Sequence, residues 1–200
     1  MIMDFETGDR DPYTCPVIQL AAIVIHPRTL EIHENGIFES MIRPPNLDEI
    51  KQDALDVNKK SIEEIKAAPD QDVVWKNFVQ FVNKFKTEQS DWGLPILAGH
   101  NIIGFDKIII DRLCKQYKTK ICHPFNIIDT ISLSFYWFES RADVSRYSLD
   151  YLRDKFGLSR EAAHDAKKDC LDTLEILTRY LKLARNISPK LKFISENENN

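Results

Sequence analysis

Met1-Ile2-Met3-Asp4-Phe5-Glu6-Thr7-Gly8 is the stretch on which the fold turns. Met1 to Phe5 is short and apolar and reads as a first β-strand. Residues two apart on a strand project to the same face, so Asp4 and Glu6 point the same way. The next apolar run, Pro16 to Ile25, reads as a second strand, buried on both faces because its apolar character is nearly continuous. Pro27-Arg28-Thr29 marks a turn, and Glu31 to Ile42 gives a third strand with a polar, Gly-containing middle. The short connections favour antiparallel pairing of all three, and Pro44-Pro45 ends this part of the sheet.

Further along, Leu47 to Pro69 reads as a loop with short helical pieces, Ser61 and Glu64 forming a capping-box pattern. Val74, Phe78, Phe81, Val82 and Phe85 fall at helical spacing and predict an amphipathic helix over 71–85. Leu94 to Ala98 reads as a buried strand, Asp106 to Tyr117 as a helix, and Pro124 to Ile128 as another short strand. Asp129 or Thr130 caps the helix that carries Phe135, Trp137 and Phe138. This aromatic run is read mostly as core, with Tyr136 or Trp137 at its rim. Ser148 opens a short helix, and Arg160 to Leu183 is expected to form the last long one. The order predicts an α/β fold: a mixed five-stranded sheet, three strands antiparallel and the later ones parallel, with helices on both faces. One domain is expected over 1–185, followed by a polar, frayed tail over 186–200.

Composition narrows the function classes. A chain of 200 residues, 43% hydrophobic and 29% charged, has the balance of a single globular domain. No apolar run is long enough to cross a bilayer, and no basic region precedes an apolar stretch at the start. A cytoplasmic location with no membrane partner is therefore expected. Cys15, Cys114, Cys122 and Cys170 are scattered and read as free thiols of a reducing compartment. Cys122-His123 lacks further ligands at zinc-like spacing. The net charge of −4 argues against tight, non-specific duplex binding. Asp4, Glu6, Asp106 and Asp169 account for four negative charges, which two divalent cations would cancel.

Taken singly, these acids have plain explanations. Asp4 and Glu6 could be a solvated strand end, although two carboxylates held together repel and invite a hard divalent cation such as Mg²⁺ or Mn²⁺. Asp106, after Gly104-Phe105 at a helix start, could be an N-cap, and Asn101 likewise. Asp169 lies about 100° round the last helix from Cys170, on the flank of an apolar stripe of Ala163, Ala166, Cys170, Leu174, Leu177 and Leu181. His164, at the expected helix N-terminus, could be polar surface.

Together the acids form a series: Asp4-x-Glu6-Thr7, Asn101-x4-Asp106, His164-x4-Asp169. In this order and spacing it resembles the DEDD exonucleases. The five-residue step from His164 to Asp169 is similar to the histidine (DEDDh, DnaQ-like) branch; the tyrosine branch places its tyrosine where Asp165 stands. Ile18-Gln19-Leu20-Ala21-Ala22, Ile128-Asp129-Thr130 and Tyr147-Ser148-Leu149-Asp150-Tyr151-Leu152 are softer matches.

The resemblance implies an RNase H-like fold and a 3′–5′ exonuclease that releases nucleoside 5′-monophosphates from the 3′ end of single-stranded DNA. It implies two Mg²⁺ (or Mn²⁺), one held by Asp4, Glu6 and Asp169 and the other by Asp4 with Asp106. His164 is then the general base, a task suited to imidazole. Thr7, Gly8, Arg10, His100 and Asn101 become the candidate substrate-binding residues. The proofreading epsilon subunits of bacterial replicative polymerases are similar, which makes a DNA polymerase a candidate partner. An RNA-directed relative (oligoribonuclease or RNase T-like) and a non-catalytic docking module are the alternatives. One departure stands out: Glu6-Thr7-Gly8 is followed by Asp9-Arg10, where the family commonly has an apolar wedge. Arg10 is expected to act there by stacking or by binding phosphate.

Overall fold

The computed structural model describes residues 1–188. Five strands, β1 (Ile2–Thr7), β2 (Val17–Ile25), β3 (Ile32–Met41), β4 (Leu97–Gly99) and β5 (Ile127–Asp129), form one sheet in the order β3-β2-β1-β4-β5. β1, β2 and β3 pair antiparallel, while β4 joins β1, and β5 joins β4, in parallel. The helices are α1 (Gln52–Asn58), α2 (Ile62–Ala67), α3 (Gln71–Asn83), α4 (Asp106–Tyr117), α5 (Thr130–Phe138), α6 (Leu149–Phe156) and α7 (Ala166–Ile187). This is the mixed five-stranded α/β sheet expected of the RNase H-like exonuclease domain.

The period-2 alternation of β1 sorts the core into two layers. Met3 and Phe5 face α3 and α4 and pack with Phe78, Val82, Ile109 and Leu113. Ile2 faces the other way, with Ala21 and Ile23 of β2, against Ala166, Cys170, Leu174 and Leu177 of α7. A third cluster of Leu152, Ile176 and Tyr180 ties α6 to α7, and Trp137 and Phe138 of α5 pack against it.

Several details differ from the sequence reading. The strand expected over 94–98 begins only at Leu97, because Leu94 closes a 3-10 turn over Asp91–Gly93 and Pro95 follows it. The last helix begins at Ala166, not at Arg160. Ala162 and His164 take left-handed backbone angles (φ 56° and 65°), and Asp165 caps the helix by accepting a hydrogen bond from the Lys168 N–H. In the aromatic run, Phe135 and Tyr136 are the exposed members, at 59% and 70%, and Trp137 is not. α7 continues to Ile187, past the boundary expected at 185; residues 189–200 of the expected tail lie outside the described residues. Among the described residues no helix is long and apolar enough to cross a membrane. All four cysteines are unpaired.

Phe78 has no solvent exposure and sits 5.1 Å from Phe38, 5.7 Å from Trp75 and 6.1 Å from Phe81, ring centroid to ring centroid. Phe78→Ala should cost about 3–5 kcal/mol, read as a lower urea midpoint with an unchanged slope.

Candidate active site

Asp4 and Glu6 continue the Ile2 face of β1 towards the N-terminal end of α7, where Asp169 sits in the helix's first turn. One carboxylate oxygen from each of Asp4, Glu6 and Asp169 lies within 4.8 Å of the others. The first turn of a helix favours negative charge, so α7 tolerates an acid there. Asp169 is 8% exposed, deeper than the helix flank read from the sequence.

Asp106 arrives by a different route. β1 and β4 are paired only at Ile2 and Ala98, and β4 ends at Gly99, so β1 runs on past it. The Phe5 N–H, left without a β4 partner, donates to Asp106 Oδ1 at 3.0 Å. Asp106 is therefore not the N-cap; Phe105 holds that position and Asp106 is the first residue of α4. Its carboxylate stands outside the group of three, yet it is the largest neighbouring charge acting on Asp4.

The electrostatics follow from crowding. Desolvation, then the charges of Asp106, Glu6 and Asp169, push Asp4 well above the ordinary carboxylate range. Burial and Asp169 raise Glu6 to about 8, against which Lys60 works. Burial raises Asp106 to about 7, opposed by the Phe5 hydrogen bond. Desolvation also raises Asp169, opposed by Arg153. A set of oxygen donors carrying excess negative charge, with no sulfur or nitrogen ligand among them, fits a hard divalent cation.

His164 stands at the mouth of this group. Its backbone N–H donates to Asp169 Oδ1 at 3.3 Å, and its Nε2 is 3.8 Å from Asp150 Oδ2. Its side chain is 39% exposed, so the ring is within reach of solvent.

The model of the Exonuclease family (RNase_T) matches residues 1–177. The chain belongs to the Exonuclease family. Solved structures agree on the fold. Cell-death related nuclease 4 (CRN-4) superposes with a TM-score of 0.69 at 21% identity, over 91% of this chain and 63% of that one. E. coli Exonuclease I in complex with a dT13 oligonucleotide gives 0.70 at 16%, over 94% and 41%. A full-length 3′-exonuclease gives 0.67 at 18%, over 92% and 60%. The chain thus spans 41% to 63% of the length of these three. No curated protein matches it by sequence.

The structure places each of the expected substrate-binding residues as follows. Thr7 is buried; its hydroxyl donates to the Asp9 carbonyl at 2.7 Å and its carbonyl accepts from Asn58 Nδ2 at 2.8 Å. Both backbone groups of Gly8 are engaged within the chain. Its N–H donates to the Pro16 carbonyl, its carbonyl accepts from the Lys51 N–H, and a Cβ would come within 2.9 Å of Pro16 Cγ. Gly8 is there for close packing of the turn. Arg10 is exposed and lies 3.7 Å from the Asp53 carboxylate. His100 Nδ1 lies 2.9 Å from Thr130 Oγ1, and burial lowers it to about 4, which keeps the ring neutral. Asn101 is exposed, with a left-handed φ of 57°.

Several residues around the site make contacts that the sequence reading does not assign. Asp129 caps α5 through the Ile131 N–H, and it also accepts from the N–H groups of Asn101 and Ile103, which pins the loop before Asp106. Lys60 and Gln19 both donate to Asp165 Oδ2 at 2.9 Å, clamping the residue after His164. Val57, Asn58 and Phe105 join Thr7 and Arg10 around a cavity of about 140 Å³. A larger cavity of about 740 Å³ opens at the far end of β1, around Met1, Phe85 and Leu181, away from the acids. The fully buried Arg153 contacts Asp169. Its only signal was a cation in a helix with apolar neighbours, Leu152 and Phe156.

The raised carboxylates set a pH dependence. Glu6 and Asp106 hold their protons more tightly folded than unfolded, so their contribution to stability is complete below about pH 4 and is lost as the pH rises towards 7 and 8. In chelator, the melting temperature should fall between about pH 5 and 8.5, and Glu6→Gln should flatten that fall. Mn²⁺ should raise the melting temperature most at the alkaline end. A metal-free protein that gains stability across this range would contradict the assignment.

Proposed function

We propose that the chain is a metal-dependent 3′–5′ exonuclease of the histidine branch, removing nucleoside 5′-monophosphates from single-stranded DNA. The observation that carries this reading is the convergence of Asp4, Glu6 and Asp169 within 4.8 Å, with His164 beside them. Exonuclease I, whose solved structure includes dT13, supports single-stranded DNA as the substrate.

Asp4, Glu6 and Asp169 would hold one Mg²⁺ or Mn²⁺, and Asp4 with Asp106 the second. Ions bound there would supply Lewis-acid chemistry, acidifying water and stabilising the charge on the departing 3′ oxygen. His164 takes the proton from the attacking water onto an imidazole nitrogen, and its exposure leaves it a route to return that proton to solvent. The cavity beside Thr7 offers the terminal nucleotide an apolar wall in Val57 and Phe105 and a cation in Arg10 at its rim. That wall supplies from α1 and the α4 N-terminus the apolar contact missing at Asp9-Arg10. A polymerase as partner rests on the family resemblance alone.

A 5′-labelled single-stranded oligonucleotide should shorten stepwise with Mg²⁺ and stay intact in chelator; activity indifferent to chelator would sink the metal reading. Asp4→Ala and Asp169→Asn should abolish turnover, and an active Asp169→Asn protein would refute its assignment as a ligand. His164→Ala should slow turnover by on the order of 10² to 10⁴ while leaving the fold intact. Matched DNA and RNA oligomers should be degraded with DNA the faster, since tolerance of the 2′-hydroxyl separates the two substrate classes. A faster RNA reaction would move the chain to the RNA-processing reading.

A further inference from the structure

Arg153, in α6, is 1% exposed and is the largest fully buried side chain described. Its guanidinium directs three arms to three acids. Nη2 donates to Asp169 Oδ1 at 2.5 Å, Nε to Asp172 Oδ2 at 2.7 Å, and Nη1 to Asp150 Oδ1 at 2.7 Å. Burying such a charge is costly, and an apolar residue of similar volume often serves stability as well or better. Packing of α6 against α7 therefore gives no reason for an arginine at this position. Its three partners do.

Asp169 Oδ1 receives both Arg153 and the His164 N–H, while Oδ2 has no hydrogen-bond donor among the described residues. The carboxylate is thereby held by one oxygen, with the other left for the acid group. The second arm ends on Asp150, whose other oxygen lies 3.8 Å from His164 Nε2. The third ends on Asp172, one turn beyond Asp169 on α7, where Lys168 also binds at 2.5 and 2.7 Å. Asp172 fastens the guanidinium to the helix that carries Asp169, so the fork cannot move independently of it.

We propose that Arg153 is a positioning residue for this exonuclease. It fixes the orientation of Asp169 towards Asp4 and Glu6 and, through Asp150, fixes the carboxylate beside the His164 ring. The inference rests on the roles proposed above for Asp169 and His164. A lysine has the charge but not the planar, three-directional fork, so the geometry is specific to arginine.

The test compares wild type, Arg153→Lys and the double variant Arg153→Met/Asp172→Leu, which removes the buried charge together with one of its partners. Three readouts are needed: melting temperature, Mn²⁺ affinity by calorimetry, and kcat and KM on a single-stranded oligonucleotide. Loss of a residue that orients a metal ligand costs about 10- to 100-fold in metal affinity or activity. Both variants should lose Mn²⁺ affinity and kcat on that scale with KM little changed, and the double variant should melt near the wild-type temperature. Should Arg153→Lys fail to fold, the double variant alone decides. A double variant that recovers Mn²⁺ affinity and kcat along with its melting temperature would overturn the inference and leave Arg153 a structural residue. A wild-type protein that neither binds Mn²⁺ nor cleaves would instead overturn the exonuclease reading and the inference with it.

Discussion

Like charges held close together and away from water set the terms for the rest of this molecule. Burial pushes Asp4, Glu6, Asp106 and Asp169 all towards their protonated forms, and the neighbouring acids add to this at Asp4 and Glu6. No folded chain keeps such a group for stability, because each unpaired buried charge is costly. It persists because two hydrophobic layers hold β1 and α7 rigidly enough that the acids cannot separate. The surrounding polar contacts moderate the repulsion: Arg153 on Asp169, Lys60 towards Glu6, and the Phe5 N–H on Asp106.

The topology delivers each acid by a different mechanism. β1 places two of them by simple alternation. Because β1 runs past the end of β4, the Phe5 N–H is left to donate to Asp106, which attaches the start of α4 to the sheet. α7 contributes Asp169 from its first turn, and the left-handed stretch at Ala162 and His164 brings the His164 N–H to Asp169 Oδ1. A left-handed histidine is strained, and strain of this kind is found where the surrounding structure enforces it. Here Asp169 accepts the histidine's N–H, and Lys60 and Gln19 clamp the next residue.

Much of this was legible beforehand. Alternation in β1, continuous apolar character in β2 and the helical stripes of α3 and α7 depend on short-range periodicity, which sequence carries directly. The misreadings share a cause. The start of α7 was placed too early because Arg160 to His164 has no residue that forbids a helix; the hydrogen bonds that break it come from Asp165 and Asp169. Phe135 was assigned to the core because an aromatic run does not show which side its helix buries. The crowding of Gly8 by Pro16 and Ile50 is likewise invisible in its local sequence, because both neighbours come from elsewhere in the chain.

Local sequence alone specifies the order of strands and helices, the shared face of Asp4 and Glu6, and the five-residue step from His164 to Asp169. Those features rest on bond geometry and on periods of two and 3.6 residues, so they need no knowledge of what lies across the molecule. Long-range packing settles that Asp106 bonds to β1 rather than capping its helix, that Gly8 lies tight against Pro16 and Ile50, and that Arg153 reaches Asp169 and Asp172 from 16 and 19 residues away. Each of these depends on distance between elements brought together by the core. Such a distance is fixed by the packing of the whole chain and is written in no local stretch of it.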